Sequence, residues 1–187
     1  MKSPDLTEIR AKLVPEASGR VLEVGIGSGL NLPFYAGDVT VVGLDPSVEL
    51  QDYAREVAAR CGVDVEFVNG SGEQIPSEDN DFDSVVITWT LCSIPDPVQA
   101  LQEIRRVLKP SGKLIFVEHG LSPDPGVAAW QSRINPIWKL VGGGCNLNRK
   151  MDELIAQAGF RFDALTMGYI PGPKFATYNF RGIAAPA

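Results

Sequence analysis

The chain has 187 residues, of which 44% are hydrophobic and 21% charged, as in an ordinary soluble globular domain. Its formal net charge of -6 argues against a nucleic-acid partner, because phosphate binding depends on clustered Lys and Arg. Since no apolar run approaches the roughly 20 residues of a membrane-spanning helix, we expect no integral membrane segment; contact with a membrane surface stays open.

The three cysteines are Cys61, Cys92 and Cys145, which are odd in number and widely spaced. They match no metal-ligand spacing, so the sequence predicts no metal site. Free cysteines suit a reducing compartment, and no signal segment is expected at the start of the chain, so we expect a cytoplasmic protein.

The elements begin with a short helix that Ser3 caps, with Pro4 at its first position, and that stops near Pro15. Strands without polar alternation then alternate with helices, which indicates a parallel sheet covered on both faces. In chain order we predict strands at 20–24, 40–44, 64–68, 82–88 and 113–118, a turn at 110–112, helices at 47–60 and 98–108, a further helix from about 149 to 158, and closing strands at 161–167 and 176–183. The expected inward side chains are Val48, Tyr53, Val57 and Ala58 in the first of these helices, and Ala100, Leu101, Ile104 and Leu108 in the second.

A glycine-rich turn follows the first strand, in the stretch VLEVGIGSGLNL. A strand, a turn of this kind and the start of a helix place backbone N–H groups toward a ligand. Asp45, at the end of the second strand, lies 22 positions after Glu23, where a carboxylate can bind the hydroxyls of a ribose. The pattern therefore predicts binding of a nucleoside cofactor without specifying which one.

The turn departs from the dinucleotide fingerprint, which requires Gly-x-Gly-x-x-Gly or Ala. Leu30 occupies the last position of that fingerprint, and the third glycine, Gly29, comes one place early. A tight turn suits a compact ligand without a pyrophosphate, which argues against a nicotinamide-dependent oxidoreductase.

An ordered series of motifs over about residues 18–120 resembles the class I S-adenosylmethionine-dependent methyltransferases. VLEVGIGSG is similar to the first motif and GLDPS to the second; NGSGEQIP, DNDFDSVVITWTLCSIPDP and RVLKPSGKLIFVEHG follow in order. TLCSI, EHG and the downstream GGGCNLNR resemble a narrower branch, the small thiol methyltransferases. The resemblance implies an α/β fold: a three-layer sandwich with a Rossmann-like, seven-stranded, mostly parallel sheet, helices on both faces and the last strand antiparallel.

The resemblance also implies the cofactor, S-adenosyl-L-methionine, and the residues around it. Asp45 would bind the ribose hydroxyls, and Glu23 would orient the glycine turn and hold the methionine end of the cofactor. Where the third motif of the family often has Asp-Ala, this chain has Ser71-Gly72, so Glu73 or backbone groups would bind the adenine. The implied cofactor-binding residues are Glu23, Gly25, Ile26, Gly27, Gly29, Asp45, Pro46 or Ser47, Ser71, Gly72, Glu73 and Thr88.

The acceptor is expected outside the carboxyl ends of the fourth and fifth strands, because ligands of open parallel sheets bind there. The candidates are Trp89, Thr90, Cys92 and Ser93 after the fourth strand, and Glu118 and His119 after the fifth. Thr88 would lie beside the methyl group that is transferred. His119 suits a general base or a structural residue at a strand end; Cys92 suits a small buried residue better than a nucleophile.

The last third of the chain is expected to cover the acceptor. Trp130, Trp138, Tyr169 and Phe175 form either an apolar cover over the acceptor pocket or ordinary core, and Pro136 would bend or split its helix. Asn146 and Asn148 would cap the helix that follows. The resulting single domain has a cofactor-binding core at 18–120, a cover at 121–160 and closing strands at 161–187.

Two functions remain open at this point. The first is transfer of a methyl group to a small, fairly apolar acceptor, with a thiol preferred by the resemblance over a quinol, a phenol or a lipid head group. The second is a catalytically silent module that binds S-adenosylmethionine as a sensor or scaffold. From the resemblance we expect no apolar N-terminal anchor of the kind that animal relatives have and, with few residues before Arg20, a shorter lid over the cofactor.

Overall fold

The computed structural model describes residues 4–187, so the predicted cap Ser3 lies outside the described residues. Seven strands are present in this range. They are β1 (Arg20–Val24), β2 (Thr40–Asp45), β3 (Val65–Asn69), β4 (Phe82–Thr88), β5 (Leu108–His119), β6 (Phe160–Tyr169) and β7 (Tyr178–Pro186). The helices are α1 (Pro4–Leu13), α2 (Val48–Cys61), α3 (Pro97–Val107), α4 (Pro125–Val141), α5 (Met151–Gln157) and α6 (Lys174–Thr177), with 3-10 turns at Val14–Glu16 and Leu32–Phe34.

The strands form one sheet in the order β3-β2-β1-β4-β5-β7-β6. The five strands β1 to β5 pair in parallel, and β7 runs antiparallel to both β5 and β6. The predicted Rossmann-like sheet with an antiparallel last strand is confirmed. The strand order reverses direction between β1 and β4, and such a reversal opens a crevice at the carboxyl ends of the strands.

Alternate residues of the central strands enter two different cores. In β4, Val85 and Ile87 pack into the large cluster that contains the inner faces of α3 and α5. Val86 points the other way, into a smaller cluster with Val21 and Ile115. Both faces are apolar because both are covered, which is the reason why these strands lack polar alternation.

The inward face of α2 differs from the prediction, whereas that of α3 is confirmed. Val48 and Tyr53 are exposed, and the buried positions are Gln51, Ala54 and Ala58. Gln51 is buried because its side-chain amide donates to the backbone carbonyls of Asp45 and Val68, which ties the helix to the ends of β2 and β3. A polar residue thus occupies the position that an apolar pattern assigns to a hydrophobic one.

Because the Tyr53 side chain lies in solvent, Tyr53→Ser is expected to change the free energy of unfolding by no more than about 0.5 kcal/mol. Gln51→Leu, two positions away, is expected to cost about 1–3 kcal/mol, since the backbone carbonyls of Asp45 and Val68 each lose a hydrogen bond. Urea unfolding followed by circular dichroism measures both values. A larger loss for Tyr53→Ser than for Gln51→Leu would contradict this orientation of α2.

Two further local predictions are wrong. Residues 110–112 form no separate turn; they lie within β5, where the partner of Phe82 is Leu108 and the partner of Ser84 is already Lys113, so the extra residues are absorbed as an irregularity. Of the two alternatives given for Pro136, the split is wrong, since α4 continues through Pro136 to Val141. Within residues 4–187, none of the helices has the length and hydropathy to cross a bilayer.

Candidate active site

A cavity of about 620 Å³ opens where the strand order reverses, at the carboxyl ends of β1, β2 and β4. Each of these strands ends in a polar or glycine-rich segment that lines the cavity. The lining includes Glu23, Gly25, Ile26, Gly27, Asp45, Pro46, Ser47, Ser71, Gly72 and Thr88 from the predicted cofactor set. The structure therefore brings most of the residues of the separate motifs to one place.

The glycine turn follows β1 as a tight backbone bend. The N–H groups of Gly25 and Ile26 both donate to the carbonyl of Leu44, at 2.8 and 3.1 Å. Gly25, Gly27 and Gly29 have φ angles of +74°, +52° and +75°, in the left-handed region that glycine tolerates best. At Gly25 a Cβ would also overlap the side chain of Thr90, so the bend and the loop after β4 approach each other too closely for any side chain.

The glycine turn is followed by a 3-10 turn rather than by the start of an α-helix, which the general nucleoside-binding pattern includes. The next element is the 3-10 turn Leu32–Phe34, which contains Pro33. The left-handed residue Gly29 cannot be part of a helical turn, and its N–H and carbonyl make the short-range bonds to Ile26 and Leu32 instead. Gly29 also does not line the cavity, because it packs against Ala54 of α2.

Asp45 fixes the turn with both of its carboxylate oxygens. Oδ2 accepts a hydrogen bond from the N–H of Gly27 at 2.8 Å, and Oδ1 accepts one from the N–H of Ser47 at 2.9 Å. A carboxylate has about four acceptor positions, so it can accept ligand hydroxyls in addition. Asp45 is only 7% exposed. Its carboxylate could therefore bind the hydroxyls of a ribose while it holds the glycine turn.

Glu23 is the centre of a buried hydrogen-bond network below the turn. Its Oε1 accepts from Asn31 Nδ2 at 2.9 Å and its Oε2 from the hydroxyl of Tyr35 at 2.8 Å. Asn31 also donates to Thr88 Oγ1 at 3.0 Å. Burial raises the pKa of Glu23 to about 7, although its hydrogen bonds and the charge of Arg10 act in the opposite direction.

Arg10 and Asn31 are lining residues that the sequence did not predict. Arg10 comes from α1, donates from Nε to Asn31 Oδ1 at 3.0 Å and stacks over the ring of Trp89 at 4.5 Å. It is the one basic side chain among the described residues that line the cavity, and a guanidinium suits the carboxylate of a methionine moiety. An arginine in a polar N-terminal helix gives no sequence signal for this position, since only the tertiary fold brings α1 over the cavity.

Trp89, which lines the cavity, has a strained backbone conformation. Its φ is +49°, which is unusual for a large side chain. The backbone N–H donates to Val117 at 2.7 Å, and the indole Nε1 donates to Asn179 Oδ1 at 2.9 Å. The surrounding strands therefore fix both ends of this residue, and strain of this kind is common at ligand sites.

Glu73 does not line the cavity, in contrast to its neighbours Ser71 and Gly72. It accepts from the N–H of Asp96 at 2.7 Å and from Ser71 Oγ at 3.0 Å. Its carboxylate thus supports the loop before α3, and the adenine contact predicted for it has no counterpart in this arrangement.

Cys92 and His119 lie outside the cavity lining, next to Cys145. Cys145 Sγ and His119 Nε2 are 3.0 Å apart. Burial is the largest single effect and would lower the pKa of His119, but the hydrogen bond with Cys145 and the charges of Cys145 and Glu118 together outweigh it, so this pKa lies above its usual 6.5. Hydrogen bonds from Cys92 and then His119 lower the pKa of Cys145 against the effect of burial. A histidine engaged in this way is poorly placed as a base for a ligand in the cavity.

Glu118 supports the loop that carries Cys92. Its carboxylate accepts from the N–H groups of Thr90 and Leu91, both at 2.8 Å, and of Cys92 at 3.2 Å. The side chain is completely buried, and desolvation raises its pKa to about 7. Glu118 is thus a structural anchor rather than a side chain that a ligand could reach.

The four aromatic residues proposed as a cover do not line the cavity. Trp138 and Phe175 meet edge to face at 5.7 Å and pack against the main core, whereas Trp130 is exposed. Gly143 is the residue of the 121–160 segment that reaches the lining. The predicted caps Asn146 and Asn148 do not cap α5, which begins after Lys150 without a side-chain cap.

Comparison with known proteins identifies the family of the chain. The model of the family described as "Methyltransferase domain" matches residues 22–116. The thiol S-methyltransferase TMT1B of Homo sapiens is 39% identical over 150 residues, covering 77% of this chain and 62% of that protein. The demethylmenaquinone methyltransferase of Renibacterium salmoninarum is 37% identical over 113 residues, covering 57% of this chain and 46% of that protein. The chain spans about three fifths of the length of the thiol methyltransferases that it matches.

The crystal structure of a SAM-dependent methyltransferase from Aquifex aeolicus has the same fold, with a TM-score of 0.65 at 22% identity over 99% of this chain and 90% of that one. The sheet order, the glycine turn and the carboxylate after β2 define a nucleoside-binding domain of the Rossmann-like type. The chain belongs to the class I S-adenosylmethionine-dependent methyltransferases, and its cofactor is S-adenosylmethionine.

Proposed function

We propose that this chain transfers the methyl group of S-adenosylmethionine to a small thiol. The observation that carries the proposal is that the carboxylates in the cavity are already hydrogen-bonded to the protein. Among the described lining residues the carboxylates are Glu23 and Asp45, and both already accept two hydrogen bonds from the protein. The histidine, His119, contacts Cys145 instead of the cavity.

A cavity without a free base favours an acceptor that ionises by itself. The thiol of a cysteine side chain has a pKa of about 8.5 and the phenol of a tyrosine about 10, so a thiol of the cysteine type supplies more of its anion at neutral pH than a phenol does. The sulfonium is already activated, and the protein then has mainly to align nucleophile, methyl group and sulfur and to exclude water. The similarity to a thiol S-methyltransferase supports the same acceptor.

The cavity also favours a small and apolar acceptor. Its volume of about 620 Å³ must hold the cofactor and the acceptor together. Trp89, Ile94 and Leu30 supply apolar surface to the lining. A quinol is the second candidate, favoured by the similarity to a demethylmenaquinone methyltransferase.

The test is a panel of acceptors, comprising alkyl thiols, a quinol, a phenol and phosphatidylethanolamine vesicles, with formation of S-adenosylhomocysteine as the measurement. We expect turnover with the thiols. Turnover with hydroxyl or amine acceptors alone would remove the proposal. Binding of S-adenosylhomocysteine without turnover of any acceptor would identify the chain as a silent cofactor-binding module.

The pH dependence gives a second prediction for the same assay. If the thiol ionises without a protein base, kcat/KM rises about tenfold per pH unit up to the pKa of the thiol and then levels off. Two thiols of different pKa should therefore level off at different pH values. A levelling point shared by both thiols would report a group of the protein and contradict the argument from the missing base.

A further inference from the structure

Three potential metal ligands from separate parts of the chain meet beside the cavity. Cys92 lies in the loop after β4, His119 at the end of β5, and Cys145 after the glycines that end α4. The two Sγ atoms and a ring nitrogen of His119 all lie within 4.8 Å of one another. We propose that Cys92, His119 and Cys145 bind a zinc ion.

The chemistry of this cluster suits zinc. Thiolate sulfur and imidazole nitrogen are preferred zinc ligands, and sites with three protein ligands keep a fourth position for water or another ligand. Bond lengths of about 2.3 Å to sulfur and 2.0–2.1 Å to nitrogen place the ligand atoms of a tetrahedral site about 3.5–3.8 Å apart. The observed separations, 3.0 Å for Cys145 to His119 and at most 4.8 Å overall, reach these values with small side-chain rotations.

The charge balance also favours a divalent ion. Two thiolates and a neutral imidazole give a total charge of zero with Zn²⁺, which a buried location tolerates well. Cys92 and Cys145 are only 2% and 6% exposed. Nε2 of His119 points toward the thiols, as its 3.0 Å contact with Cys145 Sγ shows.

The backbone around the cluster is held in place without the metal. The Cys92 N–H donates to Glu118, and the Cys92 carbonyl accepts from both the backbone N–H and the side-chain amide of Asn146, at 2.8 and 3.0 Å. Leu147 donates to Asn135 Oδ1 at 2.8 Å. The segments that carry the two cysteines are therefore bonded directly to each other, and a site of this kind is pre-organised.

A zinc ion here would connect three segments at the edge of the cofactor cavity. Ser93 and Gly143, which are close in sequence to Cys92 and Cys145, both line that cavity. Its role would be to hold the loop after β4 and the segment after α4 together. This inference does not depend on the proposed acceptor.

The experiment is a zinc titration of the metal-free, reduced full chain in competition with a chromophoric chelator. We expect one zinc ion per chain, and Cys92→Ser and Cys145→Ser should each weaken binding by about 100-fold or more, because even outer partners of zinc ligands change affinity 10- to 100-fold. Cys61→Ser is the matched control, since Cys61 is an exposed cysteine, and should bind zinc as the natural chain does. Undiminished zinc binding in the Cys145→Ser variant would overturn the proposal.

A second measurement uses the unchanged chain, so it does not depend on the folding of any variant. Zinc should slow the alkylation of Cys92 and Cys145, measured by mass spectrometry, by about tenfold or more, and leave Cys61 as an unaffected internal reference. Equal alkylation rates with and without zinc would overturn the site. Neither measurement requires S-adenosylmethionine, so failure of the zinc site and failure of the methyltransferase proposal are distinguishable.

Discussion

Asp45→Ala is expected to weaken the binding of S-adenosylhomocysteine by about 5- to 150-fold, which corresponds to about 1–3 kcal/mol. The carboxylate is the group that would accept the ribose hydroxyls, and hydrogen bonds to a charged acceptor are the stronger kind. Part of the loss is indirect, because the same oxygens hold the N–H groups of Gly27 and Ser47. Isothermal titration calorimetry measures the affinity.

Two further variants separate these contributions. Asp45→Asn keeps one acceptor oxygen but turns an NH₂ group toward one of the two backbone donors, so it should retain part of the affinity at most. Asp52→Ala is the control, because Asp52 is exposed on the outer side of α2 and should leave the affinity unchanged. An unchanged affinity in Asp45→Ala would refute the assignment of the ribose to this carboxylate.

The sheet was predictable because its strands are buried on two faces. In the segment FDSVVIT, the successive residues Val85, Val86 and Ile87 enter different clusters, so this run is apolar without alternation, which indicates a strand covered on both faces. The inner face of α3 was predictable for a similar reason, since Ala100, Leu101 and Ile104 contact one apolar cluster. The face of α2 was not, because Gln51 is buried for its hydrogen bonds and Tyr53 is exposed despite its size.

The cofactor turn was predictable because its requirements are local. Positive φ angles and a close backbone approach leave glycine as the suitable residue, and Asp45 follows at the end of the adjacent strand. Arg10 and Asn31 were not predictable, since their role depends on the way α1 lies over the sheet. Cys92, His119 and Cys145 are separated by 27 and 26 residues, unlike any short metal motif, and they meet because β4 and β5 are neighbours.

Glu23 and Glu118 are two deeply buried carboxylates at this end of the sheet. Their hydrogen-bond donors differ, but burial affects the pKa of both in the same way. Glu118 is surrounded by backbone donors, whereas Glu23 is surrounded by the side chains of Asn31 and Tyr35. In both, desolvation is the largest effect and raises the pKa to about 7. Both therefore hold a proton in the folded state at a pH where the unfolded chain has lost it.

The free energy of unfolding is accordingly expected to fall as the pH rises from about 4.5 to 7. Between these values the folded state binds more protons than the unfolded state, and stability decreases with pH under that condition. The stabilisation by Glu23 is complete below the unfolded pKa of 4.5 and is lost through the folded pKa of about 7. His119, whose pKa is also raised, contributes in the same direction. Glu103 and Asp83 have lowered pKa values, so their contributions to the stability of the protein are lost only as the pH falls.

Glu23→Gln isolates the contribution of one carboxylate. The amide oxygen of the glutamine can accept from Asn31, and its NH₂ can donate to the Tyr35 hydroxyl, so both hydrogen bonds survive without a titrating group. We expect the loss of stability between pH 5 and pH 8 to be smaller than in the natural chain by about 1–3 kcal/mol. Urea unfolding at several pH values measures it, with Glu56→Gln on the exposed side of α2 as the control. Glu118 and His119 are present in every variant, so their contributions to the pH dependence cancel in the comparison. If the free energy of unfolding depends on pH in the same way in Glu23→Gln and in the natural chain, Glu23 carries no proton at neutral pH in the folded state.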